Sequence, residues 1–334
     1  MKEALFYSRL PDNKVKCELC PHLCVLNNGS IGNCRVRRNV DGVLMSENYG
    51  KISGYHLDPI EKKPLYNFYP GKYVLSIGSY GCNMHCRFCQ NYEISQCSAD
   101  TGRSLELSPD SIVNDAMRKK ENIGIAYTYN EPLVFYEFMR DTALLAKQQG
   151  LKNVMVTNGF FNPFPLDKLT VLMDAFSVDL KAFTNEFYKK YTYSEIREVK
   201  ESLIAIRKSG KHLEITNLII PELNDNTPMF SEMIFWIKNE LGKETILHLS
   251  RYFPRYKISI PPTPEKKLEE FYSIAKKELD FVYIGNMAGK KGQNTYCPSC
   301  NELLISRNGY FVNKQGLRDD GTCSQCHTRV IEFN

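Results

Sequence analysis

The chain has 334 residues, 43 of them basic and 38 acidic for a net charge of +5, and 43% are hydrophobic. This length exceeds the usual single domain, yet a (β/α) barrel reaches it, so one large domain with small appendages is expected. The charges form no long like-signed block, which excludes a nucleic-acid-binding arm or a polybasic membrane tract, so neither nucleic acid nor membrane is an expected partner.

No apolar run reaches the ~18 residues of a membrane span, and MKEALFYSRLPDNKVKCELC lacks the apolar core of a secretion signal. A cytoplasmic protein is expected. The 12 cysteines fall into tight clusters rather than a disulfide framework, which points to metal binding in a reducing compartment.

In chain order, Cys17, Cys20, Cys24 and Cys34 come first, with Pro21 and His22 inside their loop. Four ligands can close a zinc site or hold an auxiliary iron–sulfur cluster, and the spacing leaves both open. Residues 1–70 are read as an N-terminal cysteine-rich metal-binding segment.

Residues 71–290 alternate short β-rich apolar runs with longer amphipathic stretches, the pattern of βα units around a parallel sheet. Strands are expected at Tyr73–Ile77, Gly124–Tyr129, Asn153–Thr157, Phe176–Leu180, Leu213–Ile220, Thr245–Leu249 and Phe281–Ile284. Ser108 and Pro109 form a helix-start signal, and Gly150 and Gly210 follow helical runs where a terminating glycine belongs. The fold class is therefore α/β, a partial or full (β/α) barrel of the TIM type with functional loops at the C-terminal strand ends.

The loop after the first strand reads Gly81-Cys82-Asn83-Met84-His85-Cys86-Arg87-Phe88-Cys89, a CxxxCxxC spacing. A cubane [4Fe-4S] cluster has four iron sites, so three thiolates leave one iron open to a small molecule. A three-cysteine zinc site or buried thiols are the plainer alternative. Cys97, outside the motif, reads as an incidental thiol, since a fourth ligand closes the open iron.

This motif resembles that of the radical S-adenosylmethionine (SAM) superfamily. The resemblance implies a [4Fe-4S] cluster on Cys82, Cys86 and Cys89, SAM on the open iron, and reductive cleavage to methionine and a 5′-deoxyadenosyl radical. It also implies a flavodoxin- or ferredoxin-type electron donor.

Tyr129-Asn130-Glu131-Pro132 resembles the superfamily's Gly-Gly-Glu-Pro segment, with Asn130 in place of the second glycine and Glu131 able to pair with an ammonium group. Thr157-Asn158-Gly159 and Asp179-Leu180-Lys181 are similar to segments of pyruvate formate-lyase activating enzymes. Asn158, Asp179 and Lys181 are accordingly expected at the cofactor, as is His248 in His248-Leu249-Ser250-Arg251. A helix start at Asn-Glu-Pro, an Asp179–Lys181 surface pair and a structural His248 are the bland readings.

The span from 291 to 334 carries Cys297-Pro298-Ser299-Cys300 and Cys323-Ser324-Gln325-Cys326, two CxxC knuckles that read as a zinc ribbon. Lys290 and Lys291 precede it, where a ribbon covering the barrel mouth brings them to an anionic substrate; a solvated linker is the plainer role. From its CxLCPHxC start to these knuckles, the chain resembles the radical enzyme of the AmmeMemoRadiSam system. That implies an enzyme acting on a small molecule or protein substrate. A glycyl-radical-enzyme activase and, in a different class, a non-catalytic zinc-ribbon adaptor are the competing readings.

Overall fold

The computed structural model describes all residues except 101, 102, 288, 290 and 332–334. Lys290 therefore lies outside the described residues, while Lys291 pairs with Glu269 at 2.8 Å.

One eight-stranded sheet dominates. We number its strands β1 (Gly54–Pro59), β2 (Tyr73–Gly78), β3 (Asn122–Tyr127), β4 (Lys152–Thr157), β5 (Ala175–Asp179), β6 (His212–Ile219), β7 (Ile246–Arg251) and β8 (Val282–Gly285). They lie side by side in sequence order, and β2 to β8 are all parallel. Helical crossovers enforce that order, since each strand returns beside its predecessor through a helix such as α1 (Pro109–Arg118) or α2 (Tyr136–Gln148).

The helix signals act as local chemistry requires. The Ser108 hydroxyl accepts from the Ser111 N–H at 3.2 Å, and Gly150 and Gly210 take φ of 73° and 72° just past their helices.

Alternate strand residues face opposite layers. Leu75, Ile77, Ile125, Met155, Phe176, Val178, Ile215 and Leu247 pack in the main core with helix residues such as Phe138, Leu203 and Phe271. Smaller Val74, Ala126, Val154 and Ala175 line the concave side, where they meet Ile60, Leu65 and Phe68 of the β1–β2 connection. That connection plugs the concave face from below.

β1 runs antiparallel to β2, from Gly54 opposite Gly78 to Pro59 opposite Tyr73. It thus draws residues 54–59 out of the N-terminal segment into the main sheet. β1 and β8 are the terminal strands of the order, so among the described residues the sheet does not close into a full barrel. Ahead of it lie two small sheets, Tyr7–Leu10 with Lys14–Cys17 and Val25–Leu26, and Lys2–Glu3 with Val43–Ser46 and Arg37–Val40. Val15, Leu26 and Leu44 of these sheets, with Leu19 between two of their strands, belong to the same core as the main-sheet strands.

The C-terminal hairpins, Thr295–Tyr296, Leu303–Asn308 and Phe311–Lys314, form a separate antiparallel sheet. It docks at the N-terminal strand ends. Arg307 donates to the Tyr66 carbonyl at 2.6 Å, and Val330 packs with Tyr66 and Phe281, which directly precedes β8. The C-terminal sheet thus sits at the floor, correcting the expectation that it covers the mouth, because Arg307 reaches across to the Tyr66 carbonyl and to Glu61 of the plug and not to the upper loops.

Candidate active site at the C-terminal strand ends

The loop leaving β2 carries the three cysteines across the mouth. It turns at Gly81, whose φ of 83° suits glycine and where a Cβ would collide with the Cys34 carbonyl and Val36. Asn130 holds the loop's entry: its Oδ1 accepts the Ser79 N–H at 2.9 Å and its Nδ2 donates to the Gly81 carbonyl at 2.9 Å. A glycine cannot make these bonds, so Asn130 serves the loop with its side chain rather than by close backbone approach.

Polar groups converge on the sulfurs. The Met84 N–H points at Cys82 Sγ from 3.3 Å, Asn158 Nδ2 lies 3.7 Å from the same sulfur, and Ser95 Oγ lies 3.2 Å from Cys89 Sγ. Burial pushes the Cys86 thiol up to about 12, partly countered by the Lys181 ammonium. Cys97 turns away, its Sγ donating to the Glu93 carbonyl at 3.0 Å. The three-thiol set thus stands without a fourth, which fits a cluster with one open iron: donors to sulfur and a nearby cation stabilise an anionic thiolate centre.

Glu131 follows β3 and is buried. Its Oε1 accepts from the Leu133 N–H at 3.0 Å and the Thr157 hydroxyl at 2.8 Å, and its Oε2 accepts from the Asn158 N–H at 2.8 Å. Burial raises this carboxyl to about 7 despite those donors. It braces the ends of β3 and β4, with acceptor capacity left on Oε2 alone.

Asn158 extends the brace, donating from Nδ2 to Asn83 Oδ1 at 2.8 Å while Asn83 Nδ2 donates to the Phe160 carbonyl at 2.8 Å. Asn83 went unnoticed in the sequence, although it lies inside the cysteine motif and so offered a positional signal.

Asp179 ends β5 and pairs with Lys181 at 2.9 Å, so the mutual pair is present. It is not a plain surface pair, because the Lys181 side chain is only 13% exposed and faces the Cys86 thiol. Burial by itself lowers the Lys181 pKa, but Asp179 and Cys86 raise it on balance, keeping it cationic.

His248 does not join this group. It is the third residue of β7, buried, with Nε2 2.6 Å from Glu214 Oε2 and its ring edge-on to Tyr66. The correction has a clear cause: three more residues of β7 lie beyond it toward the mouth, and Glu214 offers an acceptor inside the barrel. Glu214 also accepts the Tyr66 and Asn67 N–H groups at 2.9 and 2.8 Å and meets His212 at 2.8 Å. Burial raises its carboxyl, but His212 and His248 outweigh this and hold it at about 2.

Two further cysteine quartets flank the barrel. In the C-terminal one, Cys297 and Cys326 sulfurs stand 3.5 Å apart, Cys300 and Cys323 3.6 Å, and all four fall within 4.8 Å of one another. A tetrahedral ion with ~2.3 Å bonds to sulfur sets its ligands about 3.8 Å apart, so this quartet can hold one metal ion. The N-terminal quartet, Cys17, Cys20, Cys24 and Cys34, instead lines a cavity with Leu19, Arg37 and Val134.

Among the described residues no helix is long and apolar enough to cross a membrane. The Radical SAM superfamily model matches residues 76–234, which begin in β2 and take in the cysteine loop. An uncharacterized protein of Methanocaldococcus jannaschii is 44% identical over 98% of this chain and 97% of its own length. The pyruvate formate-lyase-activating enzyme of Clostridium pasteurianum is 24% identical over 50% of this chain and 70% of its own. A radical SAM methyltransferase from Sphaerobacter thermophilus shares the fold, with a TM-score of 0.51 at 16% identity over 65% of this chain and 67% of that one. With the cysteine loop placed at the mouth of a parallel partial barrel and matched by that family model, the chain belongs to the Radical SAM superfamily.

Proposed function

We propose that this protein reductively cleaves SAM and uses the resulting radical to abstract hydrogen from a small-molecule or protein substrate. The observation that carries this reading is the three-thiol loop with donors aimed at its sulfurs and Cys97 turned aside. When bound on Cys82, Cys86 and Cys89, a [4Fe-4S] cluster chelating SAM supplies the electron that splits the carbon–sulfur bond into methionine and a 5′-deoxyadenosyl radical.

The chain's own groups position and shield. Asn130 fixes the loop entry, Glu131 and Asn158 lock the neighbouring strand ends, and Oε2 of Glu131 keeps capacity for an ammonium group. Lys181 holds positive charge against the Cys86 thiol and pairs with Asp179; in this reading Lys181 serves a carboxylate and Asp179 ribose hydroxyls. The plug below closes the concave face, so water and substrate reach the site from the mouth. A zinc ion at the C-terminal quartet and an external flavodoxin- or ferredoxin-type donor complete the reading.

The full-length resemblance to the AmmeMemoRadiSam radical enzyme supports a substrate within that association. Similarity to pyruvate formate-lyase-activating enzymes favours a second reading, hydrogen abstraction from a glycine backbone in a partner protein. Anaerobic, reduced, cluster-loaded protein incubated with SAM is expected to release 5′-deoxyadenosine, read by chromatography; none released with an intact cluster defeats the proposal. A glycyl radical seen by electron resonance with a partner protein selects the second reading.

A further inference from the structure

The structure assigns a second iron–sulfur cluster, not zinc, to Cys17, Cys20, Cys24 and Cys34, built into the wall of the mouth beside the three-cysteine loop. The argument begins with sulfur spacing. The C-terminal quartet shows how this chain arranges thiols for one tetrahedral ion, with sulfurs 3.5 and 3.6 Å apart and all within 4.8 Å. Among the described residues that quartet alone is so drawn together.

The N-terminal four surround a cavity instead, as thiols must when each binds a different iron of a cubane core. The loop Cys82, Cys86 and Cys89, placed for such a core, is equally absent from the close-set groups.

A second observation points to the charge of the occupant. Arg37 lines the cavity, is 1% exposed, and donates to Glu137 at 2.8 and 3.1 Å and to the Leu5 carbonyl at 2.8 Å, yet its buried Nε has no partner among the described residues. An unpartnered guanidinium N–H beside four thiols is a donor in wait for an anionic centre, because leaving it bare costs about 1–3 kcal/mol.

Location supplies the third step. The Cys34 carbonyl abuts Gly81, which directly precedes Cys82. His22 Nε2 donates to the Asn83 carbonyl at 2.6 Å, and Asn33 Oδ1 meets His85 Nε2 at 2.8 Å. Arg35 donates to Gln96 Oε1 at 2.9 Å, and Gln96 in turn donates to the Met84 carbonyl at 3.1 Å. A structural zinc needs no such neighbour; a one-electron carrier does.

The test uses full-length protein, reconstituted anaerobically with iron and sulfide, and counts metals by elemental analysis with Mössbauer spectroscopy. Native protein is expected to hold about eight iron and one zinc per chain, and the C82A/C86A/C89A variant about four iron with cubane parameters. Native protein with about four iron and two zinc, or a triple variant carrying one zinc or one mononuclear iron at the quartet, overturns the assignment. This inference stands apart from SAM cleavage: absent 5′-deoxyadenosine defeats that reading alone, whereas metal counts decide this one.

Discussion

At the mouth of the barrel, amides and hydroxyls aim at the sulfurs of Cys82 and Cys89; at the floor, polar groups aim at one another. Glu214 collects Tyr66, Asn67, His212 and His248, and Arg307 joins the Tyr66 carbonyl, the Gln293 carbonyl at 3.1 Å and the Thr295 hydroxyl at 2.8 Å. Both regions are buried and polar, so burial and charge do not by themselves mark an active site. What differs is that most floor donors end on partners within the chain, Arg307 Nε and Asn67 Nδ2 being left without a hydrogen-bond partner among the described residues, whereas those at the mouth end on ligands for something else. Perturbed carboxyls make the same point, since Glu131 at about 7 and Glu214 at about 2 are both bracing groups.

The comparison predicts that mouth variants remove chemistry and floor variants remove stability. The largest effect is expected from Cys82→Ala, which abolishes 5′-deoxyadenosine release while the melting temperature of the metal-loaded protein stays within a few degrees. A melting collapse without that loss breaks the division.

Next comes the ribbon. Cys323→Ser removes a buried sulfur from a quartet that can hold a metal ion, and a zinc ion there would contribute, by the measure of zinc-finger peptides, about 10–16 kcal/mol to local folding. Limited proteolysis is expected to cut within 295–331 while 5′-deoxyadenosine release per folded molecule persists.

Arg307→Ala at the floor is expected to cost about 3–5 kcal/mol in denaturant unfolding, because it strips a buried cation and leaves Glu61 and the Tyr66 carbonyl without it. A loss of SAM cleavage instead of stability contradicts the floor's structural role.

The smallest effect is one of pH. Glu214 has a folded value of about 2 against an ordinary 4.5, so the unfolded chain binds the proton more readily. The stabilisation is therefore present above pH 4.5 and lost as pH falls toward 2, amounting to about 3 kcal/mol. Glu214→Gln is expected to flatten that acid limb in unfolding titrations; an unchanged limb places the proton elsewhere.

Much of this was legible in sequence because it is local. Each of the seven expected strands lies within two residues of an observed one, since apolar runs and turn residues act over a few neighbours. The cysteine spacings and the exclusion of Cys97 from the motif are likewise short-range statements, as are Ser108 and Gly150 at helix ends.

β1 escaped notice because Gly54-Tyr55-His56-Leu57-Asp58-Pro59 alternates only over Tyr55 to Asp58, between a glycine and a proline and with polar Asp58 on the buried side; its pairing with β2 makes it a strand. The partners of a polar side chain escaped for a related reason. His248 reads as a cofactor contact from its neighbours in sequence, yet its bond runs to Glu214, 34 residues away; Glu131 keeps capacity on Oε2, but its bond to Thr157, 26 residues away, is one no local pattern announces.

The cysteines opening the chain show the same divide. Their number and spacing were determined by sequence alone and left zinc and iron–sulfur equal. Only the tertiary structure set Cys34 against Gly81 and left Arg37 with an unspent N–H beside the four thiols, because those contacts join segments that no local pattern relates. Spacing decides which ligands one turn can offer; packing decides how far apart the sulfurs stand and what charge they face.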